Sequence, residues 1–524
     1  MMSAPFHGER SALLHRLLLA VLLLGGLLVR LPDLGAPLLE GAAAKQTHTA
    51  MVARNFYRDR GSWARPMVDD IGRPGYFLKE APLVPILVTL LYHLRGGVDE
   101  RFGRLLGIAC WLAAVPSLAA ILGRSCSNVE VLIGVSWFLA APLAVVYSRA
   151  FMSDSALMMS SLAALLALIR WHEAPTTARA ATTGLLCGLA LALKPHVIFW
   201  LIPAGVILYR SASGRDDGRA KREPRTLMVW LVLGAIPAGL WYLHAAALHR
   251  TYPAAGALVA EGWIAPRLLL KPRLYTELGR QIVEMVFTPL GVAIAVLGFA
   301  SDRSHRSLSE RALLAWGAGT IVQCLVFATR VFDERARGTE YYLLPLVPVA
   351  ALLIARGCAT LAARFGALLP RLRYFLMIAI LSALAASALA ISRHAGATPR
   401  EYDSLVERCE RIQSLTSPRE EMFVLSDRGG TILYYCDRRG TALTVGSAVG
   451  PDLAAETPRA STEEIARALQ SARYFYIPFP ELLEPNSALA QHLESEWRRV
   501  PGATDLWLFE RTTGTTRRPL DRSH

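Results

Sequence analysis

The chain is short of charged residues for its length. Of its 524 residues only 19% are charged, whereas 53% are hydrophobic and the mean hydropathy is +0.34. A soluble chain carries about 25% charged residues, and the apolar excess excludes a disordered protein. No internal repeat is visible, which excludes a fibrous or solenoid chain. The apolar residues gather in blocks long enough to cross a bilayer, so the sequence predicts a polytopic membrane protein.

The sequence also lacks the motifs of the common soluble enzymes. It contains no Walker loop, no Rossmann glycine fingerprint and no His-Glu-x-x-His motif. The pair Asp69-Asp70 is too small to indicate a metal site, so we assign no metal ligands and leave a divalent metal open as a cofactor. The seven cysteines show no Cys-x-x-Cys spacing. Cys409 and Cys436 share the C-terminal region, where an oxidising compartment would allow a disulfide between them.

Acidic residues are the scarcer charged class, and the imbalance is confined to one part of the chain. The net charge is +17 over residues 1–394 and −3 over residues 395–524. Every long apolar run lies in the first part, which we interpret as a transmembrane domain. In the second part acids and bases are interleaved, which indicates a solvated surface and no nucleic-acid partner.

The C-terminal region, residues 395–524, has the pattern of a small soluble α/β domain. Short apolar runs predict strands at Met422–Ser426, Ala442–Val445, Tyr474–Pro478 and Asp505–Phe509. Amphipathic segments predict helices at Thr462–Ala472 and Pro485–Trp497.

The apolar runs predict an all-α membrane domain of eleven spans, at residues 12–30, 103–123, 128–147, 155–170, 180–193, 197–209, 226–248, 283–300, 312–330, 341–356 and 374–391. Pro82–Leu94 is shorter and flanked by charges, so we interpret it as interfacial. Basic loops mark the cytoplasmic side, and they lie at Arg210–Arg225, Asp302–Arg311 and Arg356–Arg373. With eleven spans the N-terminus is cytoplasmic, while the long loop 31–102 and the C-terminal domain are periplasmic, as expected of a protein in the inner membrane of the cell.

Ionisable residues collect in the segments predicted to face outwards. They include the carboxylates Glu40, Glu80 and Asp154 and the cations Lys45, Lys79, Arg149 and Lys194. Charges at a membrane edge are functional-site candidates, since carboxylates act as general bases and cations hold phosphate. Simpler interpretations stay open: Gln46–Asp59 has the pattern of a helix on the membrane surface with ordinary charges, Glu80 could mark a helix start, and Asp154 could cap a helix.

Several motifs resemble the C-type glycosyltransferases of the protein O-mannosyltransferase and aminoarabinose transferase superfamily. In order along the chain they are Lys45-Gln46-Thr47-His48-Thr49-Ala50, Ala53-Arg54-Asn55-Phe56, Glu80-Ala81-Pro82-Leu83-Val84-Pro85, Arg149 with Asp154, Lys194-Pro195, Tyr341-Tyr342-Leu343-Leu344-Pro345-Leu346, and Leu433-Tyr434-Tyr435 with Arg438-Arg439-Gly440. Each is short, but their order and spacing together cover most of the chain.

This resemblance implies transfer of a sugar, with inversion, from a polyprenyl-phosphate donor to a glycan, lipid or protein acceptor at the outer face. The family's Asp-Glu pair in the first loop aligns here with Lys45-Gln46. We therefore expect Glu80 and Asp154 to be the catalytic carboxylates, one of them acting as the general base, with Glu40 as the alternative. The donor phosphate is expected to be held by Lys79, Arg149, Lys45 and Lys194, and the cavity to be lined by Tyr341, Tyr342, His48 and Arg54.

Two other functions fit the hydropathy. A lipid-linked glycan transporter or polymerase would have a similar pattern of spans, although transporters usually show internal repeats, and none is visible here. A catalytically inactive scaffold that presents its C-terminal domain would explain the missing Asp-Glu pair.

Overall fold

A computed structural model describes residues 5–212, 224–252, 266–301, 306–328, 339–368, 371–398, 402, 404–426, 429–443, 469–478, 493 and 496–512. The chain forms two compact units. The membrane unit comprises Met1–Pro66 and Phe77–Pro399, and the soluble unit comprises Met67–Tyr76 and Arg400–His524. The division between Pro399 and Arg400 lies close to the predicted boundary at residue 394. The ten residues Met67–Tyr76, which are part of the long first loop, nevertheless belong to the soluble unit.

The membrane unit is helical. Its helices are α1 (Pro5–Leu28), α2 (Ala43–Tyr57), α3 (Leu83–Arg95), α4 (Arg101–Leu122), α5 (Asn128–Ala140), α6 (Pro142–Ser148), α7 (Asp154–Glu173), α8 (Thr177–Leu193), α9 (Leu201–Ala212), α10 (Pro224–Thr251), α11 (Pro272–Gln281), α12 (Pro289–Ala300), α13 (Leu308–Val326), α14 (Val347–Leu368) and α15 (Arg373–Ala395). Short 3₁₀ segments lie at Pro195–Trp200, Pro266–Leu270 and Glu340–Leu346, and a π-helical turn lies at Ile282–Phe287.

By length and composition, five helical segments within the described residues could cross a membrane, or up to seven if each of two bent pairs forms one span. The predicted spans 128–147 and 283–300 fall on these bent pairs, which are angled by 55° at Pro142 and by 90° at Pro289. Proline lacks the N–H that would continue the helical ladder, so both segments are broken instead of straight. The predicted spans 12–30, 180–193, 197–209 and 312–330 fall on α1, α8, α9 and α13.

Two shorter helices belong to the long first loop. The stretch predicted to be interfacial is α3, whose 13 residues cover about 20 Å, less than the thickness of a bilayer core. The helix predicted from Gln46 to Asp59 is α2, but the expectation of a surface helix is wrong. Its residues from Gln46 to Phe56 are buried except for the partly exposed His48, because the helix packs inside the unit.

The soluble unit contains a five-stranded sheet of β1 (Met422–Leu425), β2 (Gly440–Leu443), β3 (Tyr474–Tyr476), β4 (Trp497–Arg499) and β5 (Leu508–Arg511). The strand order is β2-β1-β3-β5-β4, with β1 parallel to both its neighbours and β5 antiparallel to β3 and β4. The four predicted strands correspond to β1, β2, β3 and β5. Trp497, predicted to end a helix, instead begins β4, and most of both predicted helices lies outside the described residues.

Two helices, α16 (Leu405–Leu415) and α17 (Gly429–Tyr435), flank the sheet, and Cys409 and Cys436 form the disulfide that the sequence leaves open. The segment Met67–Tyr76 covers the edge of β2 through backbone hydrogen bonds from Gly440 N to Asp69 O (2.8 Å) and from Ala442 N to Asp70 O (2.9 Å). This pairing removes an exposed strand edge, which would otherwise invite aggregation.

Candidate active site

Four of the predicted charged residues converge in the membrane unit, and we call Lys45, Glu80, Asp154 and Lys194 the rim cluster. Lys45 lies in the first turn of α2, and Glu80 lies in the loop before α3. Asp154 is the first residue of α7, whereas Lys194 directly follows α8, which stops there because the next residue is Pro195. Residues from four separate parts of the sequence therefore meet at helix ends.

The rim cluster consists of two ion pairs, Lys45 with Glu80 and Lys194 with Asp154. Lys45 Nζ lies 3.0 Å from Glu80 Oε1, and Ser153 Oγ donates to the same oxygen at 3.0 Å. Lys194 Nζ donates to both carboxylate oxygens of Asp154 at 2.7 Å. The side chains of Lys194 and Asp154 are each 5% exposed, so this pair is removed from water and is weakly screened by salt.

Neighbouring charges favour the charged forms of Glu80 and Lys194 despite their burial. Burial works to raise the pKa of Glu80, but the charges of Lys45 and Lys194 and the hydrogen bonds from Lys45 and Ser153 outweigh it, so the pKa is lowered. Burial likewise opposes the charge of Lys194, but Asp154 and Glu80 outweigh it and raise its pKa. Lys194 thus interacts with both carboxylates of the cluster.

The interpretation of Asp154 as a helix cap is wrong. Ser153 occupies the cap position of α7, and no side-chain hydrogen bond caps the helix. Both oxygens of Asp154 are instead held by Lys194. Glu80 precedes α3 by three residues and lies outside its first turn, so a simple helix-start role does not describe it either.

Aromatic rings cover one side of the rim cluster. Lys194 Nζ lies 4.8 Å from the centre of the Tyr341 ring, which stacks on Tyr342 at 4.6 Å. Tyr147 contacts the edge of Tyr341 at 5.9 Å and donates a hydrogen bond of 2.8 Å to Glu340. Tyr147 had no motif signal beyond its place two residues before Arg149.

A second aromatic contact involves three residues predicted for the site. The ring of Phe77 lies 5.7 Å from Lys45 Nζ and 5.4 Å from Lys79 Nζ, and its centre is 5.2 Å from that of His48. Phe77 directly precedes the Leu78-Lys79-Glu80 stretch, so its proximity to the motif was the signal for it. The two lysines gain cation–π stabilisation while keeping donors for other partners.

A cavity that is partly open to solvent, with about 510 Å³ of empty space, adjoins the rim cluster. Asp154, Tyr341 and Tyr342 line it, as predicted for the two tyrosines. The other lining residues come from α7, the 3₁₀ segment after α8, α13 and the 3₁₀ segment before α14, and they are Leu157, Met158, Ser161, His196, Val197, Phe199, Trp316, Gly319, Thr320, Gln323, Leu344 and Pro345. His48 and Arg54 do not line this cavity. Arg54 is buried in α2, within electrostatic range of Tyr92.

Glu40 and Arg149 lie in a different cluster. The carboxylate of Glu40 accepts a hydrogen bond from Arg104, a fully buried side chain that also donates to the carbonyls of Ala36 and Pro37 at 3.2 and 3.1 Å. Arg149 lies within electrostatic range of Glu40 and Arg104, and burial lowers its pKa. Arg104 was not predicted, because it lies within an apolar run that reads as a span.

Gln46, which the motif resemblance pairs with an acid of the family, is held here by the backbone. Its amide donates to the carbonyl of Glu40 at 2.8 Å and accepts from the backbone N–H of Phe151 at 3.0 Å. Within the described residues, no three His, Cys, Asp or Glu side chains are close enough together to hold a metal ion.

The comparisons with known proteins agree with the motifs. Residues 79–242, which include Lys79, Glu80, Arg149, Asp154 and Lys194, match the family described as dolichyl-phosphate-mannose-protein mannosyltransferase. No curated protein matches the chain. Among solved structures the chain is similar to ArnT from Cupriavidus metallidurans in the apo state, with a TM-score of 0.61 and 13% identity over 94% of this chain and 96% of that one. The chain has the C-type glycosyltransferase fold.

Two further structures support this assignment to the C-type fold. ArnT from Cupriavidus metallidurans bound to undecaprenyl phosphate has a TM-score of 0.58 and 14% identity, over 92% of this chain and 95% of that one. The oligosaccharyltransferase of Archaeoglobus fulgidus in complex with Zn and sulfate has a TM-score of 0.51 and 13% identity, over 88% and 67%. The predicted fold class, a helical membrane domain with a small C-terminal α/β domain, is confirmed, as is the resemblance to this superfamily.

Proposed function

We propose that this protein transfers a sugar from a polyprenyl-phosphate donor to an acceptor hydroxyl or phosphate at the extracytoplasmic face. The transfer inverts the configuration at the anomeric carbon of the sugar. The observation that carries the proposal is the rim cluster, in which two lysines and two carboxylates lie beside a cavity in the membrane unit. A charged cluster so far removed from water is expensive to maintain and is typical of a functional site.

The lysines suit the donor's phosphate. A polyprenyl-phosphate sugar carries one negative charge, and the departing polyprenyl phosphate gains a second one as the sugar–oxygen bond breaks. Lys45, Lys194 and the neighbouring Lys79 can stabilise that developing charge. A lysine ammonium is a compact charge on a flexible stem, so it can exchange a carboxylate partner for a phosphate without rearranging the backbone.

The carboxylates suit the acceptor. While Lys45 and Lys194 lie beside Glu80, its pKa is lowered and it is a weak base. Asp154 is held by two hydrogen bonds from Lys194 and is not free to bind an acceptor. When the phosphate draws the lysines away, basicity returns to the carboxylate next to the acceptor, which then removes the hydroxyl proton. The acceptor oxygen attacks the anomeric carbon, and the bonding electrons leave with the phosphate. We assign Glu40 a structural role instead, because it is paired with Arg104 and does not line the cavity.

The proposal includes the orientation of the protein in the membrane. The basic loops predict that the N-terminus is cytoplasmic and that the rim cluster and the soluble unit face outwards, in the inner membrane of the cell. The disulfide between Cys409 and Cys436 supports this orientation, because disulfides persist in oxidising compartments outside the cytosol. A rim site also allows the donor's hydrocarbon tail to remain in the bilayer.

The test uses the full chain in nanodiscs with undecaprenyl phosphate carrying mannose or aminoarabinose, and membrane extract as the source of acceptor. Release of undecaprenyl phosphate and direct binding of that lipid are measured for wild type, Glu80→Gln and Asp154→Asn. We expect transfer to fall by about 10²-fold or more for the variant that lacks the base, with lipid binding retained.

The matched control is Glu173→Gln. Glu173 ends the same helix that Asp154 begins, about 28 Å away, and is paired with Arg124 at 2.7 Å. It should retain full activity. If both Glu80→Gln and Asp154→Asn transfer sugar at the wild-type rate, the assignment of the acids is wrong, and if wild type binds no undecaprenyl phosphate, the proposed function is wrong.

A further inference from the structure

One side chain in the cavity is buried with an unused hydrogen-bond donor. Gln323, in the last turn of α13, is 4% exposed and lines the cavity. Its amide nitrogen has no hydrogen-bond partner among the residues that the structure describes. Buried polar groups in native proteins are almost always satisfied, so a donor left over in a cavity wall indicates a partner that occupies the cavity.

The cavity around Gln323 is lined mainly by apolar side chains, with polar side chains at several depths. Along α7 it runs from Asp154 to Ser161, two helical turns or about 10 Å. Along α13 it runs from Gln323 down to Trp316, passing Thr320, whose hydroxyl donates to the carbonyl of Trp316 at 3.0 Å and leaves its own oxygen able to accept. The wall therefore presents an amide and two hydroxyls between aromatic and aliphatic surfaces.

The chemistry of this wall distinguishes the parts of the donor. A hydrocarbon tail has no acceptor for the amide of Gln323 and would leave it unsatisfied. The phosphate is best placed next to Lys45 and Lys194 at the rim. A sugar ring matches the chemistry of the remaining wall, because it offers hydroxyl oxygens to the amide and apolar C–H faces to an aromatic ring such as Trp316.

We propose that this cavity is the sugar subsite of the donor and that Gln323 donates a hydrogen bond to a sugar hydroxyl, which makes it a residue that determines donor specificity. The inference rests on the proposed function and deepens it by naming where the donor's sugar binds. A site built to hydrogen-bond a substrate hydroxyl discriminates strongly against analogues that lack it, since its own polar group is then left unpaired.

The experiment compares Gln323→Met with wild type in nanodiscs. Methionine has a similar length and cannot donate a hydrogen bond. Two binding affinities are measured for each protein. One is for sugar-free undecaprenyl phosphate, and the other is for the sugar-loaded donor, carrying whichever of mannose and aminoarabinose wild type binds more tightly. We expect Gln323→Met to bind the sugar-loaded donor about tenfold more weakly, equivalent to 1.4 kcal/mol, with unchanged affinity for the sugar-free lipid.

The matched control is Gln281→Met, which removes a second buried glutamine of the membrane unit. Gln281 donates to Glu277 at 2.9 Å and does not line the cavity, so this variant should bind both lipids as wild type does. The inference is overturned if Gln323→Met binds the two lipids as wild type does, or if it loses affinity for both equally. Wild type that binds neither lipid would instead refute the proposed function itself.

Discussion

Two of the buried ion clusters in the described part of the membrane unit lie at opposite ends of α13, and they differ in kind. Near its last turn lies the rim cluster. Near its first turn lies what we call the far-end cluster, Glu130, Glu310 and Arg356. Arg356 donates to Glu130 at 2.9 Å and to the carbonyl of Ser125 at 2.9 Å, and it also binds Glu310. Burial and ion pairing are therefore shared by both clusters and cannot by themselves identify a site.

The carboxylates of the far-end cluster also cap the N-termini of helices. Glu130 and Glu310 each complete a capping box, accepting from the backbone N–H of Ser127 at 2.7 Å and of Ser307 at 3.1 Å. One oxygen of each carboxylate thus holds a helix start while the other binds Arg356. The rim carboxylates make no such cap, so they keep the capacity to change partner.

The cations differ in the same sense. The planar guanidinium of Arg356 is a fixed fork that holds several acceptors at once, whereas Lys45 and Lys194 are mobile point charges. A cavity partly open to solvent adjoins each cluster, and among the described residues that line them, aromatic side chains belong to the rim cavity and not to the far-end one. We infer that exchangeable lysines beside an aromatic cavity indicate chemistry, whereas an arginine that binds helix caps indicates structure.

The largest expected effect comes from Lys194→Met. Loss of this cation should lower kcat/KM per folded protein by about 10²-fold or more, the usual consequence of removing one electrostatic partner of a transition state. The measurement is transfer from the sugar-loaded lipid, normalised to the folded fraction. Lys194→Arg keeps the charge and should recover part of the loss. Wild-type kcat/KM in the methionine variant would mean that the rim pair is structural, like the far-end cluster.

The next largest effect is on stability, in Arg356→Met. This variant leaves two carboxylates without their cation, and breaking a buried pair costs about 3–5 kcal/mol. We expect the low end of that range, because the side chain of Arg356 keeps 28% exposure. Thermal unfolding in nanodiscs should shift to lower temperature, while the folded fraction keeps wild-type kcat/KM. A large loss of kcat/KM would erase the distinction between the two clusters.

A smaller effect concerns pH. The pKa of Glu80 is lowered in the folded protein, so its contribution to stability is fully present above the unfolded value of about 4.3 and is lost as pH falls through the lowered folded value. Wild type should therefore unfold at a higher temperature than Glu80→Gln at pH 7, and the gap should close below about pH 4. A gap that stays constant down to pH 3 would contradict the role of Lys45 and Lys194 in lowering the pKa.

Much of the rim cluster could be predicted from sequence, because charges next to apolar runs are conspicuous. Lys45, Glu80, Asp154 and Lys194 are all predicted in that way, whereas the neighbouring Tyr341 and Tyr342 are predicted from the motif resemblance. The role of Glu40 could not be predicted, since its partner Arg104 is 64 positions away in the chain and lies within an apolar run.

The breaks in the helices and the far-end cluster were missed for related reasons. Hydropathy does not register that Pro142 and Pro289 interrupt their helical ladders. Glu130 and Glu310 have the spacing of ordinary capping boxes, and only the fold shows that Arg356 binds both. Met67–Tyr76 was assigned to the membrane domain because pairing with β2 depends on a strand more than 360 residues later in the chain.

The smallest effect, from Arg73→Ala, provides the baseline for an exposed ion pair. Within the soluble unit Arg73 Nε lies 2.5 Å from Glu421 Oε1, but the arginine side chain is 69% exposed. Such pairs contribute at most about 1 kcal/mol, and the backbone bonds from Gly440 and Ala442 still hold the segment to β2. Hydrogen exchange over β2, followed by mass spectrometry, should accelerate less than about fivefold. Acceleration as large as that of a globally unfolded chain would mean that this pair resembles the two buried clusters and that exposure is a poor guide to their difference.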